Sequence, residues 1–526
     1  MKLSRPLRLL LGLASGVALA FCFPNYDMPL LAWAAVAMLI LASVGASVRD
    51  AMMAGFLHGY AFYVSLTWIY VVIREYGNVP PFPTFGILSL IGITGGFHMM
   101  IFTTGLAFVS RRRIGAAFVL APFLWLTLEF IRTHLPIIAF SWNLSGYAAT
   151  GNLAFLQITT LTGIYGLSFL IGAFNGLLAW VIYSRDRRAS VALGIATAAL
   201  ILFAIVGPHF VPSPPNPRYT AHLVQTNFPV SESYPANWLD QHASEMDELE
   251  KISVDAARRQ PGLVVWPEVP APFSFSESKF AERAERIARE SANEFLVGIV
   301  EWKKGPDKQW EATNSATLLN PLGQRIFTYD KIHLVPFGEY VPLRQYLTFA
   351  GRLTADISDF TPGTTYSVGE LPGGKFGVFI CYEAIFPNEI RHFAQNGAEL
   401  LINISNDGWF GRAAAPKQHL MMARVRAVES RRWLLRDTNN GYTVAIDPYG
   451  RTVASMQTDI RGQLDAPYDF RSDKTLYVRW GDWIAWLSLL ASIALIARAA
   501  TQKRIDREDP ELKVSDGSHR ASKRKK

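Results

Sequence analysis

Three short stretches carry side chains that together could break and remake an acyl bond. "LVVWPE" places Glu268 after an apolar run and a proline. "YDKIHLVPFGEY" sets Lys331 among apolar residues with Glu339 further along, and "VFICYE" sets Cys381 just before Tyr382 and Glu383. Each has an ordinary reading: a carboxylate after a strand is usually solvated, a lysine after a hairpin exposed, and a strand cysteine core filler. "CYE" fits that reading least, because core filler seldom stands so close to a carboxylate. Acyl transfer through a thiol needs a base, since a free cysteine has a pKa near ~8.5 and is mostly protonated at neutral pH. A carboxylate in an apolar pocket can accept that proton. The tetrahedral intermediate then needs a cation or amide N–H groups at its oxyanion. Glu, Lys and Cys supply all three roles.

Only two cysteines occur in 526 residues. The other, Cys22, lies in an apolar segment and reads as a small apolar residue, so no disulfide framework is expected. Neither cysteine has a His or Cys companion at metal-ligand spacing, which argues against a zinc site. No cofactor is expected.

The elements that must position these groups read as a layered α/β domain. Strand-like runs recur at Ala221–Gln225, Gly262–Trp266, Phe295–Val300, Ser315–Leu319, Phe376–Cys381, Leu400–Ser405 and Thr443–Ile446. "NPLGQ" (320–324) and "DPYGR" (447–451) are turns between extended segments and suggest hairpins. Glu277–Asn293 carries Phe280, Ala284, Ile287 and Ala288 on one helical face, and His419–Trp433 repeats the pattern with Met421, Val425 and Val428. A mixed sheet with helices on its faces fits, with functional groups at strand ends.

Around this domain the chain is of a different kind. It is 50% hydrophobic and only 18% charged, against about a quarter charged in soluble domains. Long, nearly charge-free runs fall at about 8–23, 29–46, 52–73, 86–109, 115–131, 160–183, 190–207 and 480–499. A bilayer needs about 20 apolar residues per helix, so about eight spans are expected, although the first and fifth runs are short. The expected organisation is a seven-helix membrane domain (1–211), an extramembrane domain (212–478), a C-terminal span (479–500) and a basic tail (501–526). Lys2, Arg5, Arg8, Arg49, Arg111–Arg113, Arg185, Arg187, Arg188 and the tail lie in alternate loops. Basic residues stay inside, which puts both termini in the cytoplasm and the large domain outside. The first span has a basic start but no small-residue cleavage signal, so it reads as an uncleaved anchor. These loops largely account for the net charge of +8, and no nucleic-acid partner is expected.

The trio "WPE", "DKIHLVPFGE" and "CYE", in this order, resembles the nitrilase or carbon–nitrogen hydrolase superfamily. "NISNDGWFG" (403–411) and "RAVESRRW" (426–433) add to the likeness. The resemblance implies an αββα sandwich over about 220–460. It implies Cys381 as nucleophile, Glu268 as general base and Lys331 as stabiliser of the tetrahedral intermediate. By the same likeness Glu339 orients the lysine or shares its proton, Tyr382 offers its backbone N–H to the oxyanion, and Glu383 supports it. The flanking spans, "QTNFPVSESYPANW" (225–238) and "FSWNLSGY" (140–147) narrow the resemblance to the apolipoprotein N-acyltransferases, membrane-bound members of that superfamily. That implies a bacterial inner-membrane enzyme with its catalytic domain in the periplasm. Its partners would be a phospholipid acyl donor, typically phosphatidylethanolamine, and diacylglyceryl apolipoproteins. The alternative is a membrane-anchored amidase or nitrilase with water as acceptor; a non-catalytic lipid-binding scaffold is a third reading, which the intact Glu-Lys-Cys set opposes.

Both implied substrates are lipids, so the site must face the membrane surface. The apolar segments 341–351 and 408–411 are candidates to dip towards it, and Trp238 and Trp409 are candidate substrate contacts. Glu129 and Arg132, one turn apart near a membrane boundary, read as an ion pair. His58 and His98, in apolar spans, read as helix-packing groups.

Overall fold

A computed structural model describes residues 3–75, 79–135, 140–214, 216–230, 234–305, 308–342, 359–411 and 413–502. The N-terminal apolar runs are all helical: α1 (Arg5–Ala20), α2 (Ala32–Ser43), α3 (Val48–Ser65), α4 (Thr67–Glu75), α5 (Pro81–Ser110), α6 (Ile114–His134), α7 (Leu153–Thr162), α8 (Ile164–Ser184) and α9 (Arg187–Val206). Glycines let the first helices close up. Gly12 and Gly16 of α1 lie against α3 carbonyls, and Gly59 of α3 lies against Gly95 of α5. Without a hydrophobic drive between helices in lipid, such close backbone packing holds a bundle together. Arg8 donates to the Ala42 and Val44 carbonyls at the end of α2, capping that helix.

The next region is the expected sandwich. Its strands are β1 (Tyr219–Gln225), β2 (Leu263–Val265), β3 (Phe295–Lys304), β4 (Trp310–Leu319), β5 (Arg325–Asp330), β6 (Val368–Leu371), β7 (Gly374–Ile380), β8 (Leu400–Ser405), β9 (Trp433–Thr438), β10 (Val444–Ile446), β11 (Thr452–Ser455) and β12 (Gly462–Tyr468). They form two six-stranded sheets, ordered β12-β1-β2-β3-β4-β5 and β11-β10-β9-β8-β7-β6. Central pairs β1–β2, β2–β3, β7–β8 and β8–β9 are parallel and the rest antiparallel. The parallel strands are rich in apolar residues because both their faces are covered, with buried polar groups such as His222, Asn403 and Arg436 set among them. Leu223, Val265 and Leu318 of one sheet meet Val378, Ile402 and Leu435 of the other in the inner core. Each such side chain contributes about 1.5–3 kcal/mol by leaving water.

Helices α10 (Trp238–Gln241), α11 (Ala243–Arg259), α12 (Ser278–Ser291), α13 (Pro387–Gln395) and α14 (Ala415–Ser430) complete the layers. The apolar face of α12, with Phe280, Ala284, Ile287 and Ala288, is buried as its periodicity requires. α14 stops short of Trp433, because Arg431 takes a left-handed φ of 54° and Trp433 opens β9. The extended run at β9 was hidden behind the helical pattern that precedes it.

The chain then re-enters the bundle through α15 (Leu476–Trp480) and α16 (Trp483–Ala500), with Ser492 of α16 against Thr127 of α6. Among the described residues, five helices are long and apolar enough to cross a membrane: α5, α6, α8, α16 and α9 with its 3₁₀ extension. The pair α3 and α4, bent by 50°, makes a sixth if it is one span. The expected eight are not reached, because α1 has 16 residues and α2 has 12. At ~1.5 Å per residue both fall short of a ~30 Å bilayer core. The segment 343–351 and the tail from 503 onward lie outside the described residues.

Candidate active site

The three motifs meet at the ends of their strands. Lys331 follows β5, Cys381 follows β7, and Glu268 lies just beyond β2. The Lys331 ammonium is 3.1 Å from Glu268 Oε1 and 2.9 Å from Glu339 Oε1, with 1% of its side chain exposed. Asn314, on β4, donates to the same two oxygens at 2.8 and 2.7 Å. The second oxygen of Glu268 accepts from the Asn406 N–H and that of Glu339 from the Val335 N–H, both at 2.8 Å. Burial works against a charged lysine here, yet the Glu268 and Glu339 carboxylates outweigh it and hold the ammonium well above its usual range. The Glu268 backbone is seated on β3 at Gly298. A Cβ there would stand 2.4 Å from the Pro267 carbonyl oxygen and 2.8 Å from Glu268 Cα.

Cys381 sits where β7 turns into a 3₁₀ segment, at a left-handed φ of 48°. That conformation is uncommon for a residue with a Cβ and persists only where its surroundings impose it. Burial pushes the thiol well above its ordinary range; the nearby Glu268 charge adds to the rise and Lys331 opposes it. The resting sulfur is therefore a protonated thiol. Glu383 binds this turn to the lysine loop. It accepts from the Tyr329 hydroxyl and Ile332 N–H at 2.7 Å, from the His333 N–H at 3.3 Å, and from the Ile380 N–H at 2.6 Å. Burial pushes its carboxyl up to about 7, with the Ile380 N–H pulling partly back. The Tyr382 ring packs by His333 and Phe386.

A second polar group backs the Cys381 turn and was not anticipated. His419 of α14 lies with Nε2 2.9 Å from the Cys381 carbonyl oxygen and Nδ1 3.3 Å from Asp407. Both Asp407 oxygens are 2.8 Å from the Arg436 guanidinium. Burial lowers the His419 pKa, and Arg436 adds to the effect, so a neutral ring donates to the carbonyl. Gly298 carried a faint signal, a side-chain-free residue inside the apolar run FLVGIV, whereas Asn314 and His419 stand beside other polar residues and carried none.

α14 is also the seam with the helical bundle. The Trp142 indole and the Asn143 amide both donate to Gln418, at 2.6 and 3.1 Å, and the Ile164 N–H donates to Glu429 at 2.8 Å. Trp142 stacks on His419 and meets Phe410 edge-on. Trp409 is 39% exposed on the 3₁₀ turn that follows β8. Trp238 is buried on the outer side of the first sheet, stacked on His242 beside Phe228 and Phe273, in an aromatic cluster apart from the lysine. In the bundle His58 bonds Ser15 of α1 at 2.9 Å. Among the described residues no group of three or more His, Cys, Asp or Glu side chains could hold a metal ion.

The chain matches the family model described as apolipoprotein N-acyltransferase N-terminal domain over residues 15–177, and the carbon–nitrogen hydrolase model over residues 223–472. It is 34% identical over 508 residues to an apolipoprotein N-acyltransferase from Geobacter metallireducens, covering 94% of this chain and 96% of that one. The chain belongs to the apolipoprotein N-acyltransferase family. A member from Methylococcus capsulatus is 30% identical over 489 residues, covering 91% and 93% of the two chains. Among solved structures, an amidase from Nesterenkonia sp. aligns with 52% of this chain and 97% of its own at a TM-score of 0.38 and 19% identity. Family membership and the apolar helices together make this a membrane protein and an acyltransferase.

Proposed function

We propose that this chain moves an acyl chain from a phospholipid to the α-amine of an S-diacylglyceryl-cysteine, through a thioester on Cys381. The observation that carries the reading is the Lys331 ammonium fixed between two carboxylates beside a protonated thiol. With both carboxylates ionised the site holds one net negative charge, and a free thiolate would add another. Handing the thiol proton to Glu268 as sulfur attacks leaves the total unchanged, which favours Glu268 as general base. The Cys381 sulfur bonds to the ester carbonyl carbon of the phospholipid. Its oxyanion is met by Lys331 and the Tyr382 N–H. Collapse breaks the ester C–O bond, and the leaving lysophospholipid oxygen takes the proton from Glu268. The acceptor amine then attacks the thioester, Glu268 receives the amine proton, and collapse gives the amide and returns that proton to sulfur. Glu339 holds the lysine, and Glu383 holds the turn.

Phosphatidylethanolamine as donor, Trp409 as a rim contact and Trp238 as a more distant lipid contact belong to the same proposal. So do the domain limits 1–211, 212–478, 479–500 and 501–526, and an inner-membrane, multi-pass arrangement with the sandwich in the periplasm. Both lipids would leave the bilayer only at about 0.8 kcal/mol per CH₂, which suits a site joined to the helical bundle through α14.

The test is single-turnover labelling. Purified enzyme given phospholipid alone should gain one acyl chain on the Cys381 peptide, release one lysophospholipid and lose the label to neutral hydroxylamine. A diacylglyceryl peptide with a free α-amine should then discharge it. An adduct that hydrolyses in buffer as fast as it forms would make water the acceptor and the enzyme an amidase-like hydrolase.

A further inference from the structure

Within the helical bundle, next to the loop that meets α14, lies a cavity of about 30 Å³. Its lining includes His98, Glu129, Arg132 and Asn143 beside Tyr63 and Trp125. Glu129 is 5% exposed and Asn143 3%. Four buried atoms of this lining, His98 Nε2, Glu129 Oε2, Arg132 Nε and Asn143 Oδ1, have no hydrogen-bond partner in the protein. Such groups are costly in an apolar bundle unless something small and polar completes them. Acceptors and a donor thus stand together in one lining. A water needs at least ~10–15 Å³, so the cavity has room for water-sized guests.

The remaining atoms of the same two charged residues hold one loop. Glu129 Oε1 accepts from the Ser145 N–H at 2.7 Å, and Arg132 donates to the Trp142 carbonyl at 3.1 Å and to the Tyr63 hydroxyl at 2.8 Å. Asn143, between them, has a left-handed φ of 55°. On its other side this loop grips Gln418 through Trp142 and Asn143, and lays the Trp142 indole on His419, the ring that donates to the Cys381 carbonyl. A strained nucleophile turn thus rests on an imidazole, which rests on an indole whose loop is held by Glu129 and Arg132 of the membrane domain, two residues that bond the loop and, against expectation, not each other.

We infer that this cavity is an ordered-water site, and that Glu129 and Arg132 around it are positioning residues that set the Cys381 turn through Trp142 and His419. The inference rests on Cys381 as the nucleophile. An occupant that satisfies the outer atoms of both side chains keeps their inner atoms aimed at the loop. A shift of about 1 Å at the sulfur can cost on the order of a hundredfold in rate, whereas the lipid contacts would stay as they were.

The experiment uses the full-length enzyme in phospholipid nanodiscs and follows acylation of Cys381 by mass. Arg132→Met and Glu129→Leu should each slow acylation about ten- to a hundredfold, with the KM for phospholipid and for diacylglyceryl peptide within about threefold of the unaltered enzyme. Glu129→Gln, which keeps the acceptor for Ser145, should recover most of the Glu129→Leu loss. Combined with His419→Gln, Arg132→Met should cost little more than His419→Gln alone, as members of one chain of contacts do. A high-resolution map should show water-sized density bonded to Glu129 Oε2 and Arg132 Nε. Effects confined to KM, full additivity with His419→Gln, an unaltered rate in Arg132→Met, or lipid density in the cavity would each overturn the inference. An unaltered enzyme that forms no Cys381 adduct would instead overturn the nucleophile assignment. The two failures are distinct.

Discussion

At the scale of single residues, the site is organised around a cation that cannot leave. Lys331 is enclosed by Glu268, Glu339 and the shared Asn314 amide. Lys331→Arg should therefore abolish acylation, because a planar guanidinium does not fit where a compact ammonium meets two carboxylates and an oxyanion. Glu268→Gln should also abolish it, and in both cases membrane insertion should be retained; wild-type-like turnover in Glu268→Gln would pass the role of base to Glu339. Glu383 makes a pH prediction. Its folded pKa, about 7, lies above the ~4.3 of an unfolded glutamate. The native state thus holds a proton that the unfolded state has lost, and this contribution, full below about pH 4, disappears as pH rises through about 7. The melting temperature of the unaltered enzyme should fall relative to Glu383→Gln between about pH 5 and 8; a constant gap would show that the carboxylate is already ionised at the lower pH. Glu268, Lys331, Cys381 and Glu339 were legible in the sequence because each stands at a break between an apolar run and a turn. His419 and Asn314 were not, since a polar residue inside a helix or strand gives no sign of which carbonyl or carboxylate it faces.

At the scale of elements, the sandwich delivers its chemistry through close backbone approaches. β3 carries Gly298 where the Pro267–Val269 backbone crosses it, the usual meaning of a glycine within a strand. Gly298→Ala should push Glu268 away from Lys331 and lower acylation at least about tenfold, with the protein still inserted; an unaffected rate would mean the Glu268 segment can slide. Most central strands were readable because residues buried on both faces form short, mainly apolar runs. The edge strands β6 and β12 were missed, being short or half polar, while β5 and β11 were legible only as the far arms of the hairpins at 320–324 and 447–451. β9 was masked by α14, whose amphipathic spacing continues past the left-handed residue that ends it. A left-handed arginine leaves no mark in a hydrophobic pattern.

At the scale of the whole molecule, orientation depends on the parity of the spans, with the bent pair α3 and α4 crossing as one. α1 and α2, the helices too short to qualify, occur as a consecutive pair. Removing both leaves the sandwich on the same side of the bilayer. A reporter active only outside the cytoplasm should work when fused after Arg218 and fail after Arg113. The reverse pattern would place the thiol away from any exported substrate. The sheet order carries one more consequence. β12, the last strand made, pairs along the whole length of β1, the first, from Tyr219 opposite Tyr468 to Gln225 opposite Gly462, and Arg218 clasps Asp469 at the neck. During synthesis β1 therefore emerges with one edge unclaimed and must wait while some 240 further residues are made. The domain closes only when its far end arrives, so a nascent chain arrested before Gly462 should hold a Cys381 turn already spelled out but a sandwich still open, and it should be the form that proteases and chaperones meet first.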